Sequence, residues 1–324
     1  MPIQAVSPTA TAIVLPDVSV EVLPSDRNPA LVYLGSLASG SRRTMRHALD
    51  TIAQVVKPSA TAETFAWQVL QFQHVAAIRV RLVEHGYAST NCNKMLCALR
   101  GTLKTAFHLG LMGSDQLTRA LAVKPVRGSR VPAGRSLQSG ELRALFGICD
   151  ARAPDGARNA AVLSLLYAGA LRRSEVVGLD RDDFDVETGR LRVRGKGNKE
   201  RLVYLSNGGL LAVQAWLGHR GEESGALIHP VLKGGKIVRR RMDDQSVLDL
   251  VRRLALKAGV QPCSPHDFRR SAVGDLLDAG VDLATAQKIA GHSSPVTTSV
   301  SYDRRGEKPK QKAAELLHVP FVAP

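Results

Sequence analysis

The chain has 324 residues, enough for two domains, and 44% of them are hydrophobic, which is normal for a globular protein. Its formal net charge of +15 at pH 7 is far from normal and indicates a polyanionic partner, with nucleic acid ahead of an anionic membrane surface. An aromatic content of only 4% disfavours a stacking platform for single strands, and the four cysteines lack the spacing of a zinc site or a disulfide framework.

Residues 1–28 mix Pro, Ser, Thr and Val without a helical period, so they are predicted to form an arm or disordered tail. They lack the basic and apolar regions of a signal peptide, and no apolar run in the chain approaches the ~18 residues of a membrane span. Unpatterned cysteines are typical of a reducing compartment. We therefore expect a cytoplasmic, nucleoid-associated protein without membrane contact.

Residues 29–122 are predicted to be all-helical. Apolar residues recur every three or four positions in 41–56, 64–85 and 89–111, and a shorter helix is predicted at 30–37. Cations are scattered over these helices, namely Arg42, Arg43, Arg46, Lys94, Arg100 and Lys104. They suit a helical domain that binds the phosphates of duplex DNA; an ordinary bundle with solvated charges is the alternative.

A basic linker is predicted at 123–137, where Pro, Gly and Ser interrupt any helix. All of its charged residues are cations: Lys124, Arg127, Arg130 and Arg135. The linker either lies along DNA or is merely solvated, and the sequence leaves both interpretations open.

The second half of the chain, 138–305, begins with two predicted helices at 139–149 and 154–168. The second is apolar almost all round, so it is predicted to be buried. It ends just before Arg172, Arg173 and Glu175, whose charges need partners at the end of a buried helix.

An acidic cluster follows at Asp180, Asp182, Asp183 and Asp185. Paired carboxylates can bind a divalent ion, as in two-metal nucleases. The cluster precedes a predicted strand, and no further carboxylate cluster lies near the cationic motifs, so we favour a turn and predict no metal site.

Two short strands at 191–194 and 201–205 are predicted to form a hairpin around a basic Gly-rich tip with Lys196 and Lys199. The tip is no P-loop, because no Gly-Lys-Ser/Thr closes it. Helices are predicted at 208–217 and 244–258. The loop between them ends in Arg239, Arg240 and Arg241, which face either phosphate or solvent.

The segment 264–302 places several chemically useful side chains close together in sequence. Ser264 and Pro265 predict a helix start, and His266 and Arg269, three apart, share one face of its first turn. A second helix, 282–290, is predicted to end at the cap residue Gly291, directly before His292. A third short helix carries Tyr302, and the tail 306–324 is predicted to dock on its own domain or on a neighbour.

Three separated segments resemble the tyrosine recombinase (phage-integrase) family: LYAGALRRSE at 166–175, GKGNKERLVYL at 195–205, and the His-x-x-Arg, Gly-His and Tyr pattern of 266–302. The resemblance implies a fold that is mainly α with a small antiparallel sheet. An N-terminal helical core-binding domain would precede an α+β catalytic domain. By this match the catalytic residues are Arg172, Lys196, His266, Arg269, His292 and the nucleophile Tyr302, with Lys199 as a local rival of Lys196.

The family's chemistry would make this chain a site-specific DNA recombinase. The resemblance implies a covalent 3′-phosphotyrosine intermediate, a Holliday junction and a homotetramer on double-stranded DNA with specific sites. Arg172 and Arg269 would hold the non-bridging phosphate oxygens, and Lys196 would protonate the 5′ leaving oxygen. His266 would act as a base or second phosphate donor, and His292 would donate to the same phosphate. No metal or nucleotide cofactor is expected, and accessory DNA-bending proteins remain unspecified.

One departure from the family pattern is the ten-residue distance from His292 to Tyr302, where nine is usual. An extra helical residue rotates a side chain by about 100° and advances it by ~1.5 Å. The longer spacing has three alternative consequences: the loop absorbs the extra residue, the Tyr302 helix is displaced, or Tyr302 is donated to a partner's site. Two further functions stay open at this point: a type IB topoisomerase, and a DNA-binding protein that has lost catalysis.

Overall fold

The computed structural model describes residues 23–128, 134–195 and 200–291. The chain divides into two compact units, Met1–Val131 and Pro132–Pro324, and the division falls inside the predicted linker 123–137. Each unit has its own hydrophobic core. Within the described ranges, no helix is both long and apolar enough to span a bilayer.

The first unit is built from helices, as the apolar periodicity predicts. Its described elements are α1 (Pro29–Gly35), α2 (Ser39–Val56), a 3-10 turn (Trp67–Val69), α3 (Phe72–Glu84), α4 (Ser89–His108) and α5 (Ser114–Leu121). Leu49 and Ile52 of α2 and Leu99 of α4 are fully buried in the core between them. The helix α5 was not among the predicted elements.

The predicted helix over 64–85 is wrong in its first part. A capping box formed by Gln71 and His74 starts α3 only at Phe72. Ahead of it, Trp67 is fully buried and its indole N–H donates to the carbonyl of Ala62 at 2.8 Å. This tertiary anchor overrides the helical periodicity of the segment and leaves a 3-10 turn there.

The second unit surrounds one buried helix, α7. Its described elements are α6 (Ser139–Gly147), α7 (Pro154–Tyr167), α8 (Arg173–Gly178), β1 (Arg190–Arg194), β2 (Glu200–Tyr204), α9 (Asn207–Arg220), α10 (Asp244–Lys257), α11 (Pro265–Asp278) and α12 (Leu283–Ala290). The helix α7 contacts α8, α9, α10 and α11, which accounts for its apolar character on all sides.

The two strands form an antiparallel ladder that pairs Arg190 with Tyr204 and Arg194 with Glu200. Together with the helices, this two-stranded sheet confirms the predicted fold class, mainly α with a small antiparallel sheet. Leu191 and Val193 of β1 and Val203 of β2 point into the core, and the alternate positions face outward.

The acidic cluster before the sheet forms a turn and ion pairs. One carboxylate oxygen of Asp185 accepts hydrogen bonds from the backbone N–H groups of Glu187 and Thr188, at 3.0 and 3.2 Å. The buried carboxylate of Asp183 accepts from Arg192 and Arg194 at 3.0 and 2.9 Å. These contacts agree with the turn that was favoured over a metal site.

Candidate active site

The first turn of α11 carries two of the predicted site residues, and Asp267 fixes its geometry. The backbone N–H and the hydroxyl of Ser264 donate to one oxygen of Asp267, at 2.9 and 2.8 Å, and this capping box starts the helix as predicted. His266 and Arg269 then line the same cavity of about 330 Å³, which Arg172 also lines. The structure thus brings three of the predicted catalytic residues to one cavity.

Arg269 lies at the back of this cavity and is only 1% exposed. Its guanidinium donates to the carbonyl oxygens of Ala170, in the turn after α7, and of Ala290, at the end of α12. Ala170 has a φ of 47°, in the left-handed region that costs an ordinary residue roughly 1–2 kcal/mol. This strained turn aims a carbonyl at Arg269 and leads directly into Arg172.

Arg172 occupies the N-cap position of α8, and its side chain is 41% exposed. Its backbone N–H donates to Glu175 Oε2 at 2.9 Å, and its Nη1 donates to Glu175 Oε1 at 2.7 Å. Nη2 donates to the carbonyl of Gly291 at 3.1 Å. These contacts hold the guanidinium at the cavity wall, where its positive charge is available to an anion.

The buried carboxylate of Glu175 is a partner for the positive charge of Arg172, and it also binds a second arginine. Nη1 and Nη2 of Arg201, from β2, donate to its two oxygens at 3.0 and 2.9 Å. Burial alone would raise the pKa of Glu175, but the hydrogen bonds and charges of Arg201 and Arg172 lower that pKa to about 2. Glu175 is therefore ionised at neutral pH and balances two of the arginines.

Three arginines contact three successive carbonyl groups at the C-terminal end of α12. Arg201 Nε donates to the carbonyl of Ile289 at 3.0 Å, while Arg269 donates to Ala290 and Arg172 to Gly291. Such carbonyls lack partners within the helix and have partial negative charge. We refer to Arg172, Arg201 and Arg269 as the arginine cluster.

Gly291 ends α12 in the left-handed conformation, with φ 62° and ψ 45°, as the predicted cap glycine should. A Cβ at this position would lie 2.9 Å from Nη1 of Arg201. Glycine therefore serves both the turn and the close approach of the arginine. His292, the next residue in sequence, lies outside the described residues.

His266 is exposed at the mouth of the cavity, yet its ring is partly desolvated by the surrounding protein. This desolvation, followed by the charges of Arg270 and Arg269, lowers the pKa of His266 below its usual 6.5. The imidazole is therefore neutral at pH 7. A neutral imidazole can accept a proton or donate one hydrogen bond, but adds no charge to the site.

Several predicted site residues lie outside the described parts of the chain: Lys196, Lys199, His292, Tyr302 and Arg130. A different phenol, Tyr167, is described in the same unit, and its hydroxyl donates to Asp275 at 2.6 Å. Burial, followed by that carboxylate, raises the pKa of Tyr167, which is the wrong direction for a nucleophile.

Many of the cations predicted to bind DNA have partners within their own unit. Arg42 donates to carbonyls at the end of α1, Arg46 pairs with Glu63 at 2.6 Å, and Arg100 donates to the carbonyl of Val123 at 2.6 Å. Likewise, Lys94 donates to Asn91, Arg239 pairs with Glu223, and Arg241 donates to the carbonyl of Val177. Arg43, Lys104, Arg127 and Arg240 are exposed. DNA contact by any of these remains a prediction.

Arg201 and the bridging role of Glu175 were missed by the sequence reasoning. A signal was present: Arg201 alternates with Val203 and Leu205, so it occupies the inward register of β2. An arginine in a buried register needs buried hydrogen-bond acceptors, and the carboxylate of Glu175 was the candidate without an assigned partner.

Comparison of the sequence with known proteins places this chain in one family. A family model described as the phage integrase family matches residues 135–308. Tyrosine recombinase XerC of Corynebacterium efficiens is 31% identical over 264 residues, which cover 81% of this chain and 78% of that protein. Tyrosine recombinase XerD of Vibrio cholerae is 30% identical over 237 residues, covering 71% of this chain and 76% of that protein.

Two solved integrases have a similar fold. The Tn1549 transposon integrase in complex with a circular intermediate DNA has a TM-score of 0.63 at 16% identity and covers 90% of this chain and 99% of that one. A lambda integrase dimer bound to a core site has a TM-score of 0.62 at 14% identity, with 87% and 94% covered. At these identities the likeness concerns the fold.

Proposed function

Since this chain belongs to the phage integrase family and is a tyrosine site-specific recombinase, we propose that it cuts and rejoins double-stranded DNA through a covalent bond between Tyr302 and a 3′ phosphate. The observation that carries the mechanism is the convergence of Arg172, Arg269 and His266 on one cavity of about 330 Å³. Two fixed guanidinium groups there suit a phosphodiester whose negative charge grows in the transition state.

The proposed reaction begins when the scissile phosphate enters this cavity. Arg172 and Arg269 bind its non-bridging oxygens, and the Tyr302 oxygen attacks the phosphorus. The bond from phosphorus to the 5′ oxygen then breaks, and the new phosphotyrosine bond conserves its energy for rejoining. Because fixed cations supply the electrostatic stabilisation, the proposal includes neither a metal nor a nucleotide cofactor.

Proton transfers complete the proposed step. The ordinary pKa of a tyrosine is about 10, so its proton must be removed as the bond forms. His266 is neutral at pH 7 and is the proposed acceptor. Lys196 is proposed to give its proton to the leaving 5′ oxygen, and His292 to donate a hydrogen bond to the phosphate.

The partner in this proposal is duplex DNA with specific sites, bound by a homotetramer that exchanges strands through a Holliday junction. The net charge of +15 supports the DNA partner, as do the DNA complexes of the Tn1549 and lambda integrases. Among the alternatives considered above, the relatives favour a recombinase over a topoisomerase, because the two relatives described above are named tyrosine recombinases.

The test is covalent trapping on a nicked suicide duplex, from which the cleaved end diffuses away. The wild-type chain should accumulate a protein–DNA adduct, and Tyr302→Phe should form none because it lacks the nucleophilic oxygen. Tyr204→Phe is the matched control, since that phenol is 61% exposed on β2, and its adduct should equal the wild type's. An adduct that persists in Tyr302→Phe would reject Tyr302 as the nucleophile, and no wild-type adduct would favour the DNA-binding protein without catalysis.

A further inference from the structure

We propose that Arg201 is a positioning residue of this active site, which aligns Arg172 through their shared carboxylate and fixes the end of α12. The inference rests on the proposed function and adds to it a residue that touches neither the DNA nor the reacting atoms. Arg201 is 14% exposed, and Glu175, to which it binds, is 4% exposed.

The carboxylate of Glu175 is shared between two arginines. Each carboxylate oxygen accepts one hydrogen bond from Arg172, at 2.7 or 2.9 Å, and one from Arg201, at 3.0 or 2.9 Å. Without Arg201, the buried charge would be left to Arg172 alone. The Arg172 guanidinium would then be drawn towards Glu175 and away from a phosphate in the cavity.

Arg201 also contacts the end of α12. The Nε of Arg201 donates to the carbonyl of Ile289 at 3.0 Å, directly before the carbonyls that accept from Arg269 and Arg172. Arg201 thus ties strand β2 to the helix end on which both other members of the arginine cluster depend. Loss of this contact would loosen a common anchor of Arg172 and Arg269.

Arginine is required for both contacts at once. A planar guanidinium binds a carboxylate through two parallel donors while Nε points elsewhere, and a lysine ammonium cannot reproduce that geometry. Arg201→Lys therefore keeps the positive charge and much of the side-chain volume, but it gives up the paired contact with Glu175. It is the informative variant, since Arg201→Ala also leaves a buried charge half-paired and is more prone to misfold.

The experiment measures single-turnover cleavage of the nicked suicide duplex at saturating DNA, alongside the DNA Kd. We expect Arg201→Lys to cleave ~10- to 100-fold more slowly, the scale for partners that orient a primary contact, with Kd changed by less than ~2-fold. Arg190→Lys is the matched control: it makes the same chemical change on the same hairpin, where the side chain is 55% exposed, and should cleave at the wild-type rate.

A double-mutant cycle tests whether Arg201 acts through Arg172. Arg172→Ala alone should lose at least ~10²-fold in cleavage, the scale for removing one charge-stabilising donor. Adding Arg201→Lys should then cost clearly less than it does in the wild type, because the residue that it aligns is already gone. A full multiplication of the two losses would overturn the inference and leave Arg201 with a separate role.

Two other results would also count against the proposal. Wild-type cleavage by Arg201→Lys, with or without a lower Tm, would make Arg201 a contributor to stability only. A loss confined to DNA Kd would make it a DNA-binding residue. Absence of an adduct with the wild-type chain would instead contradict the proposed function, so the two failures are distinguishable.

Discussion

Glu175 connects the electrostatics of the site to the stability of the whole catalytic unit. Its carboxylate is buried, and the arginines around it lower its pKa to about 2 from an ordinary value of 4.5. A carboxyl group whose pKa is lower in the folded than in the unfolded state stabilises the fold above the unfolded pKa. That stabilisation is lost as the pH falls from about 4.5 towards 2. The shift corresponds to on the order of 3 kcal/mol in the free energy of unfolding at pH 7.

Glu175→Gln should therefore be less stable than the wild type at pH 7, and the gap should narrow below about pH 4.5. Denaturant unfolding of both proteins across this pH range measures the difference. Glu223→Gln is the control, because the side chain of Glu223 forms an exposed ion pair with Arg239, and its replacement should change stability little at any pH. A gap that stays constant down to acid pH would show that Glu175 acts by packing and not by charge.

At the scale of elements, α11 illustrates what local sequence can predict. Ser264, Pro265 and Asp267 predict the helix start, and the spacing of His266 and Arg269 predicts their shared face; both predictions hold. These are short-range features, in which every interacting group lies within one or two turns. The cap of α12 at Gly291 is predictable for the same reason.

Long-range contacts around the same helix were not predictable. The backbone N–H of Arg135 donates to Asp267 at 2.9 Å, and that of Leu137 donates to the Ser271 hydroxyl at 2.7 Å, across more than 130 residues. Two arms of the Arg135 guanidinium also bind Glu141, at 2.6 and 2.8 Å. No periodicity or spacing in the sequence specifies such pairs, whereas the alternation along β2 does indicate that Arg201 points inward.

The segment 134–137, which makes these contacts, requires glycine at its first position. Gly134 has a φ of 93°, and a Cβ there would lie 2.0 Å from Nη1 of Arg270 and 2.5 Å from Oδ1 of Asp267. Gly134→Ala should therefore destabilise the protein by more than ~1 kcal/mol and slow cleavage, since it displaces Asp267 at the start of α11.

The control for this prediction is Gly140→Ala, within α6, where an added Cβ meets nothing within 4 Å. That change should be neutral or stabilising by ~0.5–1 kcal/mol, because alanine favours a helix. Thermal unfolding and adduct formation are compared for both variants. Equal stability of the two would contradict the close approach at Gly134.

At the scale of the whole molecule, the cations that give the net charge of +15 form two groups. Some arginines bind carbonyls and carboxylates of their own unit, as Arg100 does, whereas others, such as Arg43, are exposed on their helix. Composition predicts a polyanionic partner, and the proposed function takes that partner to be duplex DNA. It could not separate the two groups of cations, because that separation depends on tertiary contacts.

Salt dependence of DNA binding distinguishes these two groups. The wild-type affinity should fall by ~10³-fold or more between 50 and 200 mM salt if six or more phosphates are contacted. Arg43→Ala should reduce the slope of log Kd against log salt by ~1, as expected for one lost phosphate contact. Arg100→Ala should lower stability and leave the slope unchanged. An unchanged slope in Arg43→Ala would remove that residue from the DNA surface.

The end of α12 also limits how far away the proposed nucleophile, Tyr302, can lie. The carbonyl groups of Ile289, Ala290 and Gly291 accept hydrogen bonds from guanidinium groups, so Gly291 is held in place. Eleven residues, 292–302, follow it up to and including Tyr302. A fully stretched chain of that length spans at most ~36–40 Å. The Cα atom of Tyr302 must therefore lie within that distance of Gly291, and the phosphate that Tyr302 is proposed to attack can be farther away only by the length of the tyrosine side chain.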